Sequence, residues 1–332
     1  MNITMWGKAL RTIPRLSPEE WSQLDIVARW LIAARSAVLV MTFTSAAIAG
    51  LLAWRDGRLD VWLWVLLTVG LTMAHATNNL LNDLIDYRNG VDQDNYFRAQ
   101  YGPQPLVHGM LTQRQLLLYA AVTGLLALLP GAYLVWLRGP TALWLLLAGA
   151  FFVLFYTWPL KYIGMGEIAV LLVWGPLMVG GGYFVITGVW DWNVVVASLP
   201  QTLAATAVLF GKHIDKFEPD RAKGIRTLPV LLGHRNARYA AIGLFVLQYA
   251  IVLYLVATGF FTPAMLVVLL AATALTRTIP VFLRPRPEAP PPELPPDVWP
   301  LWYAPLAFVH TRRFGALFML GLILEVAWRA FA

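Results

Sequence analysis

The chain has 332 residues, of which 59% are hydrophobic and only 13% charged, about half the charge content of a soluble domain. A water-soluble protein of this length needs polar side chains over its outside, so the composition excludes a soluble globule and points to lipid as the outer solvent. Cysteine is absent, which excludes a disulfide framework and a thiolate metal centre; the net charge of +7 follows from membrane topology and needs no nucleic-acid partner.

Residues 1–32 read as a cytoplasmic or interfacial N-terminal segment. The apolar region starts too late for a cleaved signal peptide, and no small-residue cleavage site follows a short hydrophobic core. Ser17-Pro18-Glu19-Glu20 has the form of a helix start, with serine at the cap, proline at the first helical position and glutamate three after the cap. It predicts a half-polar helix at the inner surface that runs into the first span.

Residues 33–331 hold nine apolar runs: 33–54, 61–81, 115–136, 141–157, 167–188, 193–211, 238–258, 262–282 and 314–331. Runs of roughly 20 apolar residues match the ~30 Å hydrocarbon layer. Backbone in lipid must satisfy its own hydrogen bonds, and nothing alternates with the period of barrel strands. The expected fold is therefore an all-α integral membrane protein of nine transmembrane helices. With the N-terminus in the cytoplasm, 21 of the 25 Lys and Arg lie inside, leaving Arg55, Arg58, Arg138 and Arg329 outside. That partition obeys the positive-inside rule and places a multi-pass protein in the cell (inner) membrane.

Two inner loops, 82–114 and 212–237, are far richer in charge than the rest. The segment 283–313 carries Pro285, Pro287, Pro290, Pro291, Pro292, Pro295 and Pro296. It reads as an extended connector before the last helix, with no chemistry of its own.

The first loop follows a polar helix face. His75, Asn79, Asn82 and Asp86 are spaced to share one side of the second span. Polar groups there are costly unless they meet partners or a cavity. For His75 and Asn78 the plain reading is an interhelical hydrogen-bond seam; for Asn82, Asp83 and Asp86, followed by Asp92 and Asp94, it is a functional site. The second loop alternates acids and bases from Lys212 to Thr227, including Asp215, Lys216, Glu218, Asp220, Lys223 and Arg226. Two carboxylate clusters on one side of the membrane imply two pseudo-repeated halves around a central cavity. Hard oxygen ligands suit Mg²⁺ shared with a phosphate, and the interspersed cations suit a diphosphate. No Gly-rich nucleotide loop occurs, so a diphosphate ester is favoured over ATP. Residue types alone give a metal–diphosphate site and leave the organic group open.

At these loops the chain resembles the UbiA superfamily of intramembrane prenyltransferases, most closely its 1,4-dihydroxy-2-naphthoate prenyltransferase branch in menaquinone synthesis. The first motif of that branch looks like N-D-x-x-D-Y-x-x-G-x-D, matched by Asn82, Asp83, Asp86, Tyr87, Gly90 and Asp92. Gly102-Pro103 and Gly109 are similar to a further family stretch, with Gln104 where the family has arginine and Arg98 available nearby. The second motif is similar in Asp215, Asp220, Gly224, Thr227, Leu228, Pro229, Leu232 and Gly233. It has one residue more between the two aspartates than the family pattern, and Gly211-Lys212 in place of Asn-Asn. A third match runs from Tyr156-Thr157 through Lys161 and Gly164 to Gly166-Glu167.

The resemblance implies Mg²⁺-dependent transfer of a polyprenyl group from a prenyl diphosphate to a lipid-soluble aromatic acceptor, with the active site on the cytoplasmic side. Asn82, Asp83, Asp86, Asp92, Asp215 and Asp220 are the implied metal ligands, Asp86 and Asp215 being central to catalysis. Arg98, Lys161, Lys212, Lys216 and Arg226 are the implied diphosphate contacts. Asn79, Tyr156 and Trp174 line the implied substrate pocket, where aromatic faces steady a carbocation or equally belong to the interfacial belt. Pro219 predicts that the helix carrying Asp215 ends near Phe217 and leaves Glu218 and Asp220 on an irregular segment, either one facing the metal. Other acceptors (a chlorin, a haem, glycerol phosphate, homogentisate, a carotenoid) stay open, as does a transporter of anionic lipids or diphosphates. A CDP-alcohol phosphotransferase is disfavoured because its D-G-x-x-A-R element is missing.

Overall fold

A computed structural model describes residues 2–91, 104–291 and 298–331, and every regular element among them is helical. Eight helices are long and apolar enough to cross a membrane: Ser36–Arg55, Val61–Arg88, Gln113–Arg138, Gly166–Thr187, Trp192–Asp215, His234–Ala257, Pro263–Leu283 and Tyr303–Arg329. The expected fourth span is the helix Pro140–Phe155, of 16 residues. At 1.5 Å per residue it rises only about 24 Å, short of the ~30 Å hydrocarbon layer. Nine full-length spans are therefore not found; the described residues hold eight and one shorter apolar helix. Leu118, Leu125, Leu129 and Trp136 are all strongly exposed along Gln113–Arg138, a stripe suited to lipid and not to water.

The chain divides into two compact units, Met1–Thr44 with Val65–Pro159, and Ser45–Trp64 with Leu160–Ala332. The division cuts through the first two membrane helices, because the hairpin that joins them is tied into the second unit. Ser45 donates its hydroxyl to the Trp174 carbonyl at 2.9 Å, and Tyr183 donates to Asp56 at 2.8 Å. Arg55 donates to the Phe260 carbonyl at 3.2 Å and lies over the Phe260 ring.

In the first unit, Ala28, Leu31, Ile32, Ala76, Leu80, Leu84, Leu116 and Ala120 form the buried core. The N-terminal segment differs from expectation. Ser17 and Glu20 do form the reciprocal cap, but the helix they start covers only Pro18–Ser22. Asp25 then caps a new helix, Ile26–Ala33, and a separate helix Ile3–Arg11 precedes both. Asp25 organises this region: it accepts from the Ala28 N–H at 2.9 Å, the Asn2 N–H at 2.6 Å and the Trp6 indole at 3.0 Å. Those donors, the Ala28 N–H foremost and against a smaller opposing effect of burial, hold its carboxyl down at about 2.

In the second unit, Phe210, Ile214, Phe245, Phe282 and Tyr303 are buried together. The last helix begins at Tyr303, eleven residues before the expected 314, so Arg312 and Arg313 lie in it and not in the Pro-rich connector. Asp215 is the physical reason. Its Oδ1 accepts from the N–H groups of Trp302 and Tyr303 at 2.9 and 3.0 Å, and its Oδ2 from Ala304 and Tyr303 at 3.0 and 3.2 Å. A carboxylate on the orphan N–H groups of a helix start is a strong cap. Gly211, one turn earlier, makes the approach possible: a Cβ there would sit 3.0 Å from the backbone of Ala304, so the two helices meet backbone to backbone.

Two outcomes are expected. Because the folded Asp25 value lies below the unfolded one of about 3.9, its clasp acts above that range and is lost only as pH falls through about 2. A spin label on Leu10→Cys should keep its restricted spectrum from pH 7 to pH 4 and become mobile in Asp25→Ala; a spectrum that loosens by pH 4 refutes the clasp. Asp215→Ala leaves buried N–H groups unpaired at about 1–3 kcal/mol each, so hydrogen exchange at Trp302–Ala304 should accelerate and Tm fall, with Asp215→Asn intermediate. Unchanged exchange there would remove Asp215 from its capping role.

Candidate active-site motifs

The first motif lies at the end of the helix Val61–Arg88, which continues past the expected end at 81. Asn79, Asp83 and Asp86 are buried, and with Asn82 they recur at three- and four-residue steps on one face. Two of them are engaged by the chain segment before the first span. Asn79 donates its amide to the Ala34 carbonyl at 2.9 Å, and Arg35 donates to the Asn79 carbonyl at 3.1 Å and to Asp83 at 2.8 Å. Arg35 is the only non-glycine residue with positive φ among those described, at 53°, a backbone state that surrounding bonds must enforce. Asn82 is different: its Oδ1 is buried and accepts no hydrogen bond. The Gln104 amide nitrogen is likewise buried without an acceptor. His75 and Asn78 form the seam read from the sequence, His75 with the Thr42 hydroxyl at 2.8 Å and Asn78 with the Val153 carbonyl at 3.0 Å. Asp92 and Arg98 lie outside the described residues.

The second motif follows the helix Trp192–Asp215. The break falls at Lys216, and Phe217–Ala222 form a new helical turn, where an irregular segment was expected. Pro219 has no N–H to give the Asp215 carbonyl and crowds it; Arg286 donates to that carbonyl at 3.3 Å instead. Within the new turn Lys216 lies four residues before Asp220 and its ammonium meets Asp220 Oδ1 at 3.1 Å. The other oxygen, Oδ2, is buried and accepts nothing. Glu218 is exposed, as is Arg226. Lys216, expected on the diphosphate, is thus already engaged with Asp220, and both oxygens of Asp215 are engaged with backbone N–H groups.

The third stretch joins the second motif. Lys161 lies on the 3₁₀ turn Leu160–Ile163, followed by Gly164 at φ 79°. A Cβ on Gly164 would run into the Leu231 side chain and lie 3.4 Å from the Arg226 carbonyl. Glu167, fully buried, meets His213 Nδ1 and accepts the Leu228 N–H at 3.2 Å. Trp174 lies half-buried on a π-helical segment, Val173–Gly180, that contains Pro176; π turns recur at functional sites. Tyr156, half-buried, ends the helix Pro140–Phe155 in the first unit.

Sequence reasoning missed Arg35, Arg286 and the Glu167–His213 pair. Arg35 and Arg286 were counted only as topology charges. Glu167 carried a usable signal, being the sole acid between Asp94 and Asp191.

No cluster of three or more His, Asp or Glu within metal reach occurs among the described residues. The donor chemistry nevertheless fits Mg²⁺, which keeps several waters and takes one or two protein oxygens beside substrate phosphate. Asn82 Oδ1 and Asp220 Oδ2 are such oxygens, each buried with an unused lone pair where an orphan acceptor is costly.

Residues 42–294 match the UbiA prenyltransferase family. The 1,4-dihydroxy-2-naphthoate octaprenyltransferase of Escherichia coli K12 is 30% identical over 227 residues, covering 65% of this chain and 72% of that protein. Its namesake from Bacillus subtilis 168 is 25% identical over 256 residues, covering 75% and 80%. A solved UbiA homolog from Archaeoglobus fulgidus, bound to GPP and Mg²⁺, has the same fold, with a TM-score of 0.55 at 18% identity over 87% of this chain and 99% of that one. An all-helical, multi-pass architecture and a family match over three quarters of its length lead to one conclusion: this chain belongs to the UbiA prenyltransferase family and is a prenyltransferase.

Proposed function

We propose that the protein transfers a polyprenyl group from a prenyl diphosphate to 1,4-dihydroxy-2-naphthoate, with Mg²⁺, at the cytoplasmic side of the cell (inner) membrane. The observation that carries the metal dependence is the pair of buried oxygens without hydrogen-bond donors, Asn82 Oδ1 and Asp220 Oδ2. Support for substrate and acceptor comes from the names of the Escherichia coli and Bacillus subtilis relatives and from the Mg²⁺ and GPP bound by the Archaeoglobus fulgidus homolog.

In this reading Asn82 and Asp86 of the first motif and Asp220 of the second hold the metal, with Asp92 as a further ligand. Bound Mg²⁺ supplies charge neutralisation for the departing diphosphate. Lys161, Lys212 and Arg226, with Arg98, hold the diphosphate by charge-assisted hydrogen bonds, the interaction that strengthens most as the allylic C–O bond ionises. Asp83 acts through Arg35, and Asp215 through the last helix, as supports. Tyr156 and Trp174 face the developing allylic cation.

The test uses labelled geranylgeranyl diphosphate, limiting Mg²⁺ and a panel of acceptors. Asp220→Ala should raise the Mg²⁺ requirement about 10–100-fold, in the range for lost metal support, while Glu218→Ala stays near wild type. The reverse order would make Glu218 the ligand. Turnover of homogentisate or a chlorin in preference to 1,4-dihydroxy-2-naphthoate would replace the acceptor assignment.

A further inference from the structure

Glu167 is 1% exposed at the start of a membrane helix. An isolated carboxylate there would cost several kcal/mol, so its partners are informative. They come from two different places. One oxygen meets His213 Nδ1, near the end of the helix Trp192–Asp215; the other accepts the N–H of Leu228, the first residue of the short helix Leu228–Leu232. His213 and Leu228 bracket the part of the second motif that carries its acids, Asp215 to Thr227. A single buried carboxylate therefore pins both ends of the segment 214–227.

The segment is also braced internally. The Ile225 N–H donates to the Asp220 carbonyl at 2.8 Å, and Ile225 is fully buried. Pinning the ends and bracing the middle removes most of the freedom by which Asp220 could slide along the chain. Glu167 is also the far end of the stretch that begins at Lys161. Between the two, Gly164 at φ 79° brings the chain against the Leu231 side chain and the Arg226 carbonyl.

We propose that Glu167 is a positioning residue for prenyl-diphosphate binding: it docks the Lys161 turn onto the second motif and so fixes Lys161 relative to Asp220. The inference rests on the proposed roles of Lys161 and Asp220. It assigns Glu167 no contact with substrate or metal, because both of its oxygens are committed to His213 and Leu228. What it controls is registration. A catalytic cation and a metal ligand displaced by an ångström lose much of their joint effect on one diphosphate.

The experiment compares Glu167→Ala, Glu167→Gln and His213→Gln in the full-length protein in lipid nanodiscs. Glu167→Ala should raise both the KM for geranylgeranyl diphosphate and the half-saturating Mg²⁺ concentration about 10–100-fold, as loss of an outer support does. Its kcat at saturation should fall as well, because Lys161 and Asp220 act on the departing diphosphate. Hydrogen exchange at Ile225 and Leu228 should accelerate, while exchange in the Trp192–Phe210 part of the neighbouring helix stays slow. Glu167→Gln has the same shape and still accepts the Leu228 N–H, so it should restore slow exchange at Leu228 and recover most of the KM. His213→Gln releases one end only and should fall between, which keeps the test available if Glu167→Ala does not fold. Loss of kcat with unchanged KM would overturn the proposal by making Glu167 a participant in the chemistry. Wild-type saturation of both ligands in Glu167→Ala, or faster exchange throughout the protein, would equally overturn it. Mg²⁺-independent turnover by the wild type would instead defeat the proposed function, and the exchange and prenyl-diphosphate KM readings would still judge Glu167.

Discussion

A polar atom inside a membrane helix has no water to turn to, so leaving one without a partner is costly. The two motifs are sorted by that constraint. Asn79 and Asp83 are bonded to Ala34 and Arg35, Asn78 to Val153, and Asp215 to the start of the last helix. The buried atoms left unpaired include Asn82 Oδ1 and the Gln104 amide nitrogen in the first unit, and Asp220 Oδ2 and Thr227 Oγ1 in the second. The satisfied groups hold the elements of each unit in place. Asp83 and Asp215 therefore contribute geometry.

The same logic separates the cations. Arg286 answers the carbonyl that Pro219 cannot bond and also donates to the Pro300 carbonyl at 3.0 Å. Lys216 is paired with Asp220 and Arg35 with Asp83. A cation that neutralises a carboxylate is poorly placed to lower the charge of a departing diphosphate, since its field is already compensated. Lys161 and Arg226 lie on segments that close on each other around Gly164.

Much of this was legible in the sequence. Hydropathy and the partition of basic residues gave helices, their approximate places and the multi-pass class. The acid clusters gave the two motifs. What failed to show was long-range pairing. No local pattern announces that Asp215 will cap a helix starting at Tyr303, 88 residues on, so the last helix was begun too late. Nor does periodicity reveal that Asp25 will start a fresh helix where a continuous one was expected, because a single aspartate is as common in loops as at caps. The shortness of Pro140–Phe155 was also hidden: composition reports how apolar a run is, while its ends are set by turn residues such as Gly139 and Pro140.

The extra residue between Asp215 and Asp220 brings these points together. On one continuous helix five residues turn about 500°, so the two carboxylates would point roughly 140° apart and could not serve one ion. The protein does not straighten this out; it separates the two roles. Pro219 breaks the ladder, Lys216 absorbs the turn, and each aspartate is freed from the other's direction. Asp215 stays on the long helix and faces the last one, where Gly211 admits the Ala304 backbone. Asp220 moves onto a new turn whose i−4 position is Lys216, an ion pair that steadies one oxygen and leaves the other open.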